Sequence, residues 1–482
     1  MDKKNRIIAK NYVYTLGYQI VTYLVPMVIT PYISRVFGPK GVGVQSYVNA
    51  ITAYFTMFAM LGTSIYGSRE IAQCRDDKSI CSLKFWEIFL LKVITTFISL
   101  LGWGLFYAAT NQYKPFYVAA TLQIVATIFD ISWFFEGHER MDVIAVRNTL
   151  IKVLNLVFVF MFIKKASDLW LYILSIGLFT AVGNCSLWIN LKRYLVSIDL
   201  HTINVWRHVK DTMVYFVPTF ATLIYTVLDK VMIGVITKNE AENGFYEQAE
   251  RIINVGKNLV CTLPNVIAAR ISYLFAVGDM NEIKKKVNFT IDFYWLLSIP
   301  MTLGLIGVSH SLVPWYFGEG FDQVEYLIDI MSLLILIVGG SMVLGRAYLT
   351  PSGQRARSTK AIIAGAICNF ILNLLLIPRF ASFGAAVASV AGEMVVTAMY
   401  LYMCRDFIGI GEFFGASWKK IIAALVMLFV IEILTLEKEV SFWKLTLIQI
   451  FIGSIVYFVV LIILHDNLVL KCLNKLFKRR SI

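Results

Sequence analysis

The residues best placed to do chemistry are charged and amide side chains inside a long apolar stretch. Between residues 245 and 275 the chain carries Glu247, Glu250, Arg251, Asn254, Lys257 and Asn258. At 3.6 residues per turn these positions fall on one broad face of a helix. Glu247 and Arg251 stand four apart with the acid first, the favourable order for an ion pair. A charge at the centre of a membrane helix costs about 2.5–3.5 kcal/mol on insertion scales, so charges retained there are candidates for function. Lipid offers such a stripe no partner, so it faces either a wet cavity or a neighbouring helix. A cavity is the expectation; a ligand-free network between helices is the alternative.

Other apolar runs hold further candidates. Asp229 and Lys230 are neighbours, so on a helix they point about 100° apart and reach different partners. They lie near the end of their run, where a long side chain reaches the interface cheaply. Asp130, in IFDISWFFEG, is either an ion or proton relay or an interfacial charge. Thr15, Gln19, Thr22, Pro26 and Thr30 mark a polar face on the first run, which ends at Arg35; this arginine either snorkels or attracts an anion. Pro26, Pro218, Pro264 and Pro300 are candidate hinges, because each removes a backbone hydrogen bond, although proline is common in membrane helices.

The elements that must position these residues are membrane spans. Of the 482 residues, 58% are hydrophobic and only 16% charged, with a mean hydropathy of +0.70. A soluble domain is about one quarter charged. Apolar runs of the length a spanning helix needs occur near 11–35, 44–66, 84–108, 116–135, 143–163, 169–191, 213–236, 245–275, 289–311, 325–349, 360–378, 383–403, 420–436 and 443–464. The fold class is therefore all-α integral membrane, with about fourteen transmembrane helices. The first run follows the basic segment MDKKNRIIAK but is too long for a signal-peptide core and lacks a small-residue cleavage site, so it reads as a retained span.

Charge placement orients the chain. With the N-terminus cytoplasmic, 31 of the 44 Lys and Arg fall in inner segments, 9 in outer segments and 4 within spans. Cytoplasmic loops carry such an excess of basic residues, and an even number of spans puts both ends inside. The net charge of +13 is thus mainly a topology signal and excludes a nucleic-acid partner. Seven cysteines without a CxxC spacing and five scattered histidines predict no disulfide framework, no metal site and no cofactor.

An internal repeat divides the spans. Gly43 and Gly244 each precede a tyrosine-containing polar patch, and Arg69 and Arg270 each close the same helix; both pairs are 201 residues apart. The preceding spans each hold a mid-helix proline, Pro26 and Pro218. The expected organisation is a six-helix lobe over 1–195, a second over 196–405, and a trailing helix pair with a basic cytoplasmic tail over 406–482. The basic segment 192–210 joins the lobes, either as an amphipathic helix on the inner leaflet or as a solvated loop. There is no GxxxxGK[ST] phosphate loop, and GPKGVG (38–43) lies in an outer loop between membrane helices. With no long outer segment to house a catalytic domain, the chain reads as a transporter and not an enzyme.

Particular stretches carry a resemblance. NYVYTLGYQIVTYLVPMVITPYISRVFGPKGVGVQSYVNAI (11–51), YGSREIAQCRDDK (66–78), FWEIF (85–89), DISWFFEGHE (130–139), DKVMIG (229–234) and FYEQAERI (245–252) resemble the Wzx-type polysaccharide flippases. That superfamily also contains the MATE drug exporters and the lipid II flippases. The resemblance spans essentially the whole chain. It implies a MATE-like fold of fourteen helices and the flipping of an undecaprenyl-pyrophosphate-linked oligosaccharide across the cytoplasmic membrane for capsule or O-antigen assembly. It also implies coupling to an H⁺ or Na⁺ gradient, contact with membrane lipids, and polysaccharide assembly proteins as partners.

Placed beside that implication, the cations Arg251, Lys257, Lys230 and Arg35 are candidates to meet a pyrophosphate. Gln19, Tyr246, Asn254 and Asn258 are candidates to meet sugar hydroxyls, and Glu247, Glu250, Asp130 or Asp229 to hold a coupling cation. A cation-coupled drug exporter of the same fold is the main alternative, and a membrane glycan polymerase or ligase a more distant one.

Overall fold

The computed structural model describes residues 3–415, 417–436 and 440–478. The helices are α1 (Lys3–Met60), α2 (Thr63–Cys74), α3 (Lys78–Ala109), α4 (Lys114–Ala126), α5 (Ser132–Gly137), α6 (Met141–Phe162), α7 (Leu169–Leu191), α8 (Val209–Thr237), α9 (Glu240–Val277), α10 (Met280–Phe317), α11 (Gln323–Met331), α12 (Leu333–Leu344), α13 (Arg355–Cys404), α14 (Ile410–Gly415), α15 (Trp418–Thr435), α16 (Phe442–Ile463) and α17 (Asn467–Lys478). There is no strand among the described residues. Nine helices there are long and apolar enough to cross a membrane, or ten if the bent pair Val205–Ile224 and Thr226–Thr237 is one span. Large apolar side chains such as Leu105, Ile189 and Phe451 are exposed, as a lipid-facing surface requires. The chain forms two compact units, residues 1–234 and 235–482.

Two elements are far longer than a bilayer. A straight helix rises 1.5 Å per residue, so the 58 residues of α1 would extend about 87 Å, against a hydrocarbon core of about 30 Å. The helix breaks at Gly38, whose φ of 63° is open to glycine at little cost, and Pro39 opens the next stretch. What the sequence presents as an outer loop is this single break. The 50-residue α13 breaks at Ala381 (φ 48°), three residues after Pro378. Its halves lie antiparallel: Ser358 Oγ is 2.5 Å from Tyr400 Oη, Asn369 Nδ2 donates to Ser389 Oγ at 3.4 Å, and a Cβ on Gly365 would meet the Gly392 carbonyl at 2.8 Å. Glu242 caps the second half, accepting from Ser382 Oγ (2.6 Å) and Ser382 N (3.2 Å).

Three of the stretches that carry the resemblance, 66–78, 85–89 and 130–139, meet in the first unit. Trp133, Phe134 and Phe135 of α5 are buried with Tyr66 and Ile71 of α2, Phe85 and Ile88 of α3, and Leu187 of α7. The ring of Trp133 fills the space a side chain at Gly67 would need, since a Cβ there would approach it to 2.5 Å. Arg75–Glu139 (2.7 Å) and Lys84–Glu70 (2.6 Å) tie the rim of this cluster. The buried thiols of Cys74 and Cys81 also meet here, 2.7 Å apart.

The segment after α7 is neither an amphipathic α-helix nor a free loop. It forms short 3₁₀ turns at Leu200–Thr202 and Val205–His208. Completely buried Glu87 of α3 holds the second turn, accepting from Arg207, from His208 Nε2 (2.8 Å) and from the Asn204 amide (2.8 Å). In the second unit, Lys420 of α15 is buried between Asp292 (2.5 Å) and Asp466 (3.0 Å). Asp466 in turn accepts from the first amides of α17, Leu468 N and Val469 N. That helix begins within what the sequence presents as a tail; Lys438, Arg479 and Arg480 lie outside the described residues.

Candidate functional site

A cavity of about 570 Å³ opens inside the first unit, between α1, the α4–α5 break, α6 and α7. Ligand pockets of small molecules span about 300–1,000 Å³. Its polar wall is built mainly by α6. Arg147, Asn148, Lys152 and Asn155 recur at steps of one, four and three residues, which keeps them on one face of an otherwise apolar helix. Facing them are Tyr18 and Pro26 of α1, Asn184 of α7, and Asp130, Ser132 and Glu136 around the α4–α5 break.

The break has a local cause. The apolar run 116–135 predicts one helix, yet α4 stops at Ala126 and α5 starts at Ser132. Asp130 Oδ1 accepts from Ser132 N at 2.9 Å, an Asx-type contact that favours a helix start over a helix interior. Lys92 of α3, buried completely, donates to the freed Asp130 carbonyl at 2.6 Å, with its ammonium 4.0 Å from Asp130 Oδ2. Asp130 thus lies in a stitched turn, not in a helix interior.

Two cations are presented to the cavity in different states. Lys152 Nζ donates to Thr22 Oγ1 at 3.0 Å and lies 5.2 Å from the Tyr18 ring centroid, within cation–π range. Arg147 Nη1 donates to Asn184 Oδ1 at 2.8 Å, and Asn184 Nδ2 is itself fixed on the Ala126 carbonyl at 2.8 Å. Arg147 Nε is buried without a hydrogen-bond partner. Leaving such a donor unpaired costs about 1–3 kcal/mol, more when the group is charged.

Of the residues singled out from the sequence, Asp130 lines this cavity. Gln19 is exposed on α1, and Arg35 is exposed with its guanidinium donating to the Pro31 carbonyl at 3.2 Å. Asp229 is buried on α8 and Lys230 half-buried beside it. The remainder belong to α9 in the second unit. Arg251 Nε donates to Glu247 at 2.8 Å, the i,i+4 pair their spacing predicts. Tyr246 is buried with its hydroxyl 3.1 Å from Ser389 Oγ, Glu250, Asn254 and Lys257 are half-buried, and Asn258 is exposed. In the sequence Arg147 and Lys152 read only as inner-side basic residues, and Lys92 only as one of the four basic residues within spans. The signal was present: 148, 152 and 155 repeat the helical spacing that drew attention to α9.

Long apolar helices, breaks at Gly38 and Ala381, and a polar cavity inside one helical unit together define a polytopic α-helical membrane protein. Residues 8–269 match the family described as "Polysaccharide biosynthesis protein", and the chain belongs to that family. Residues 243–454 match the family described as "Lipid II flippase MurJ". A relative from Escherichia coli strain K12, named "Putative O-antigen transporter", is 24% identical over 424 residues, covering 84% of this chain and 99% of its own. Among solved structures, the lipid II flippase MurJ in an inward closed conformation superposes with a TM-score of 0.69 at 17% identity, over 96% of this chain and 100% of its own. An inward-facing MATE-family multidrug transporter of the MOP superfamily gives 0.63 at 12% identity, over 81% and 94%. The fold is therefore MurJ- and MATE-like.

Proposed function

We propose that this chain is a flippase that moves a lipid-linked oligosaccharide across the cytoplasmic membrane for polysaccharide assembly. The observation that carries the reading is the cavity of the first unit: a guanidinium with an unpaired donor, an ammonium and three amides lie inside a membrane helix bundle. Such groups suit a hydroxyl-rich, anionic head and have no use against lipid. Membership of the polysaccharide biosynthesis family and the O-antigen relative support the same substrate class. The carrier is an undecaprenyl pyrophosphate whose acyl chain stays in lipid while the head crosses. Arg251, Lys257, Lys230 and Arg35 accompany its phosphates, and Gln19, Tyr246, Asn254 and Asn258 the sugars. Glu247, Glu250, Asp130 or Asp229 holds the H⁺ or Na⁺ that drives the cycle. The protein carries cargo and performs no chemistry on it, and the enzymes that build and polymerise the glycan are its partners.

The fourteen-span topology is part of this reading. The helices that qualify by length include two broken ones, α1 and α13, each long enough for two crossings. The bent α8, the broken α4–α5 and the short, charged α15 supply the rest. Lobes over 1–195 and 196–405, a trailing pair over 406–482 and cytoplasmic termini follow from the 201-residue repeat and the basic loops.

The test is flipping by the purified full chain in vesicles, with a fluorescent lipid-linked saccharide on one leaflet and a glycan-modifying enzyme outside as reporter. Protected substrate becomes accessible at a rate that falls at least tenfold in an Arg147→Gln, Lys152→Gln double variant that still folds. Export of drug cations with no movement of the saccharide would instead make it a drug exporter of the same fold.

A further inference from the structure

The cavity in the first unit holds more than general polarity. Arg147 spends one guanidinium nitrogen on Asn184 and keeps its Nε–H buried and unpaired. Side-on pairing through the Nε edge is how arginine engages a carboxylate or phosphate with two parallel bonds. The nearby acid does not use up that capacity. Asp130 is engaged by the Ser132 amide and by the completely buried Lys92. Lys152, held by Thr22 and the Tyr18 ring, adds a second cation on the same helix face. Asn148, Asn155 and Glu136 complete the wall with donors and acceptors of the kind that sugar hydroxyls need. A neutral sugar can offer Arg147 Nε a single hydroxyl acceptor, whereas an oxyanion offers the fork two parallel acceptors and a matching charge. An oxyanion on the sugar satisfies that fork once the guanidinium turns toward the cavity.

We propose that this cavity is a subsite for a single sugar bearing an oxyanion, with Arg147 reading the anion and Asn148 and Asn155 the hydroxyls. The inference rests on the flippase reading and narrows it, because it makes one acidic or phosphorylated sugar the recognised part of the cargo. The oxyanion has two sources, a carboxylate of the glycan or a phosphate at its reducing end, and both present the same geometry to Arg147.

The experiment is binding of soluble probes to the purified full chain in lipid nanodiscs by isothermal calorimetry. The probes are glucuronate, glucose 1-phosphate, glucose and inorganic phosphate. At least one anionic sugar should bind ten or more times more tightly than glucose and than phosphate alone. Glucuronate preferred over glucose 1-phosphate assigns the carboxylate source, and the reverse assigns the phosphate. Arg147→Gln should erase the preference for the anionic sugar while leaving the weak glucose affinity in place. Arg147→Lys, which keeps the charge but loses the fork, should retain only part of the preference and guards against a folding artefact. Equal affinity for glucose and the anionic sugars, a preference unchanged in Arg147→Gln, or no binding of any sugar would overturn the proposal. If vesicles still flip the lipid-linked saccharide in any of those cases, the subsite alone fails. If they do not, the flippase reading fails with it.

Discussion

Lys92 shows how a charge survives in the interior of a membrane helix. Its ammonium is buried completely, but it donates to the Asp130 carbonyl and faces the Asp130 carboxylate across 4.0 Å. The pair closes the α4–α5 break that shapes the cavity, so Lys92 positions the site without lining it, while Asp130 lines it. Replacing Lys92 by Met removes the partner of both oxygens, and breaking a buried pair from one side costs about 3–5 kcal/mol. The companion change Asp130→Asn removes the orphaned charge. The double variant should therefore lose less stability than the two single losses together, by at least about 0.5 kcal/mol. Thermal unfolding followed by fluorescence-detected size exclusion measures this; strict additivity would show that the two residues do not act as a pair. At this scale Asp130 was legible, because a lone carboxylate in an apolar run is conspicuous. Arg147 and Lys152 carried a signal in the helical spacing of 148, 152 and 155, but a basic residue near a span end has an ordinary topological explanation that masked it. Lys92, inside a span, is given its partner only by packing.

Elements are held by close approaches and by caps. The α13 hairpin depends on Gly365, where a Cβ would come within 2.3 Å of Val396 Cγ2 and 2.8 Å of the Gly392 carbonyl. Gly365→Val should force the halves apart, and overpacking of this kind costs about 1–3 kcal/mol. Gly409→Ala, at a position with nothing within 4 Å, is the matched control and should be neutral. Equal yields of folded protein from the two variants would refute the hairpin contact. Outside the spans, α14 is tied to α10 through Glu412, which accepts from Asn288 Nδ2 at 2.7 Å and pairs with Lys284 at 3.3 Å. The Asn288 amide, and then Lys284, hold its carboxyl below the usual value of 4.5. A lowered folded-state value means that the contribution is fully present above pH 4.5 and lost as pH falls through the lower, folded value. Wild type and Glu412→Gln should therefore differ slightly and constantly from pH 7 to 5, and converge in stronger acid. A gap that widened on acidification would contradict the assignment. Hydropathy placed most of these helices because lipid demands long apolar runs. The hairpin turn was announced by Pro378 and Arg379, but the break at Asp130 was invisible in a continuous apolar run.

For the molecule as a whole, topology is the property from which the rest follows. The antiparallel pairing within α13 sets Phe380, at the turn, at the opposite end of the hairpin from Asp406, just past its last residue. On the proposed topology the excess of basic residues predicts a cytoplasmic Asp406 end, together with Arg355, Arg357 and Arg405. Exposed Cys185 and Cys472 would react with any thiol probe, so the measurement starts from a variant in which the native cysteines are replaced. In intact cells a membrane-impermeant maleimide should label Phe380→Cys and leave Asp406→Cys untouched until the membrane is opened. The break at Gly38 supplies an independent site. If α1 crosses the bilayer twice around that break, as the fourteen-span reading proposes, Lys40→Cys should label from outside and Lys78→Cys only after lysis. Labelling of Lys40→Cys and Lys78→Cys from the same side would reduce α1 to one crossing and change the parity of every later span. The reverse pattern at all four positions would invert the molecule, and with it the direction in which an anionic sugar entering beside Arg147 could be carried.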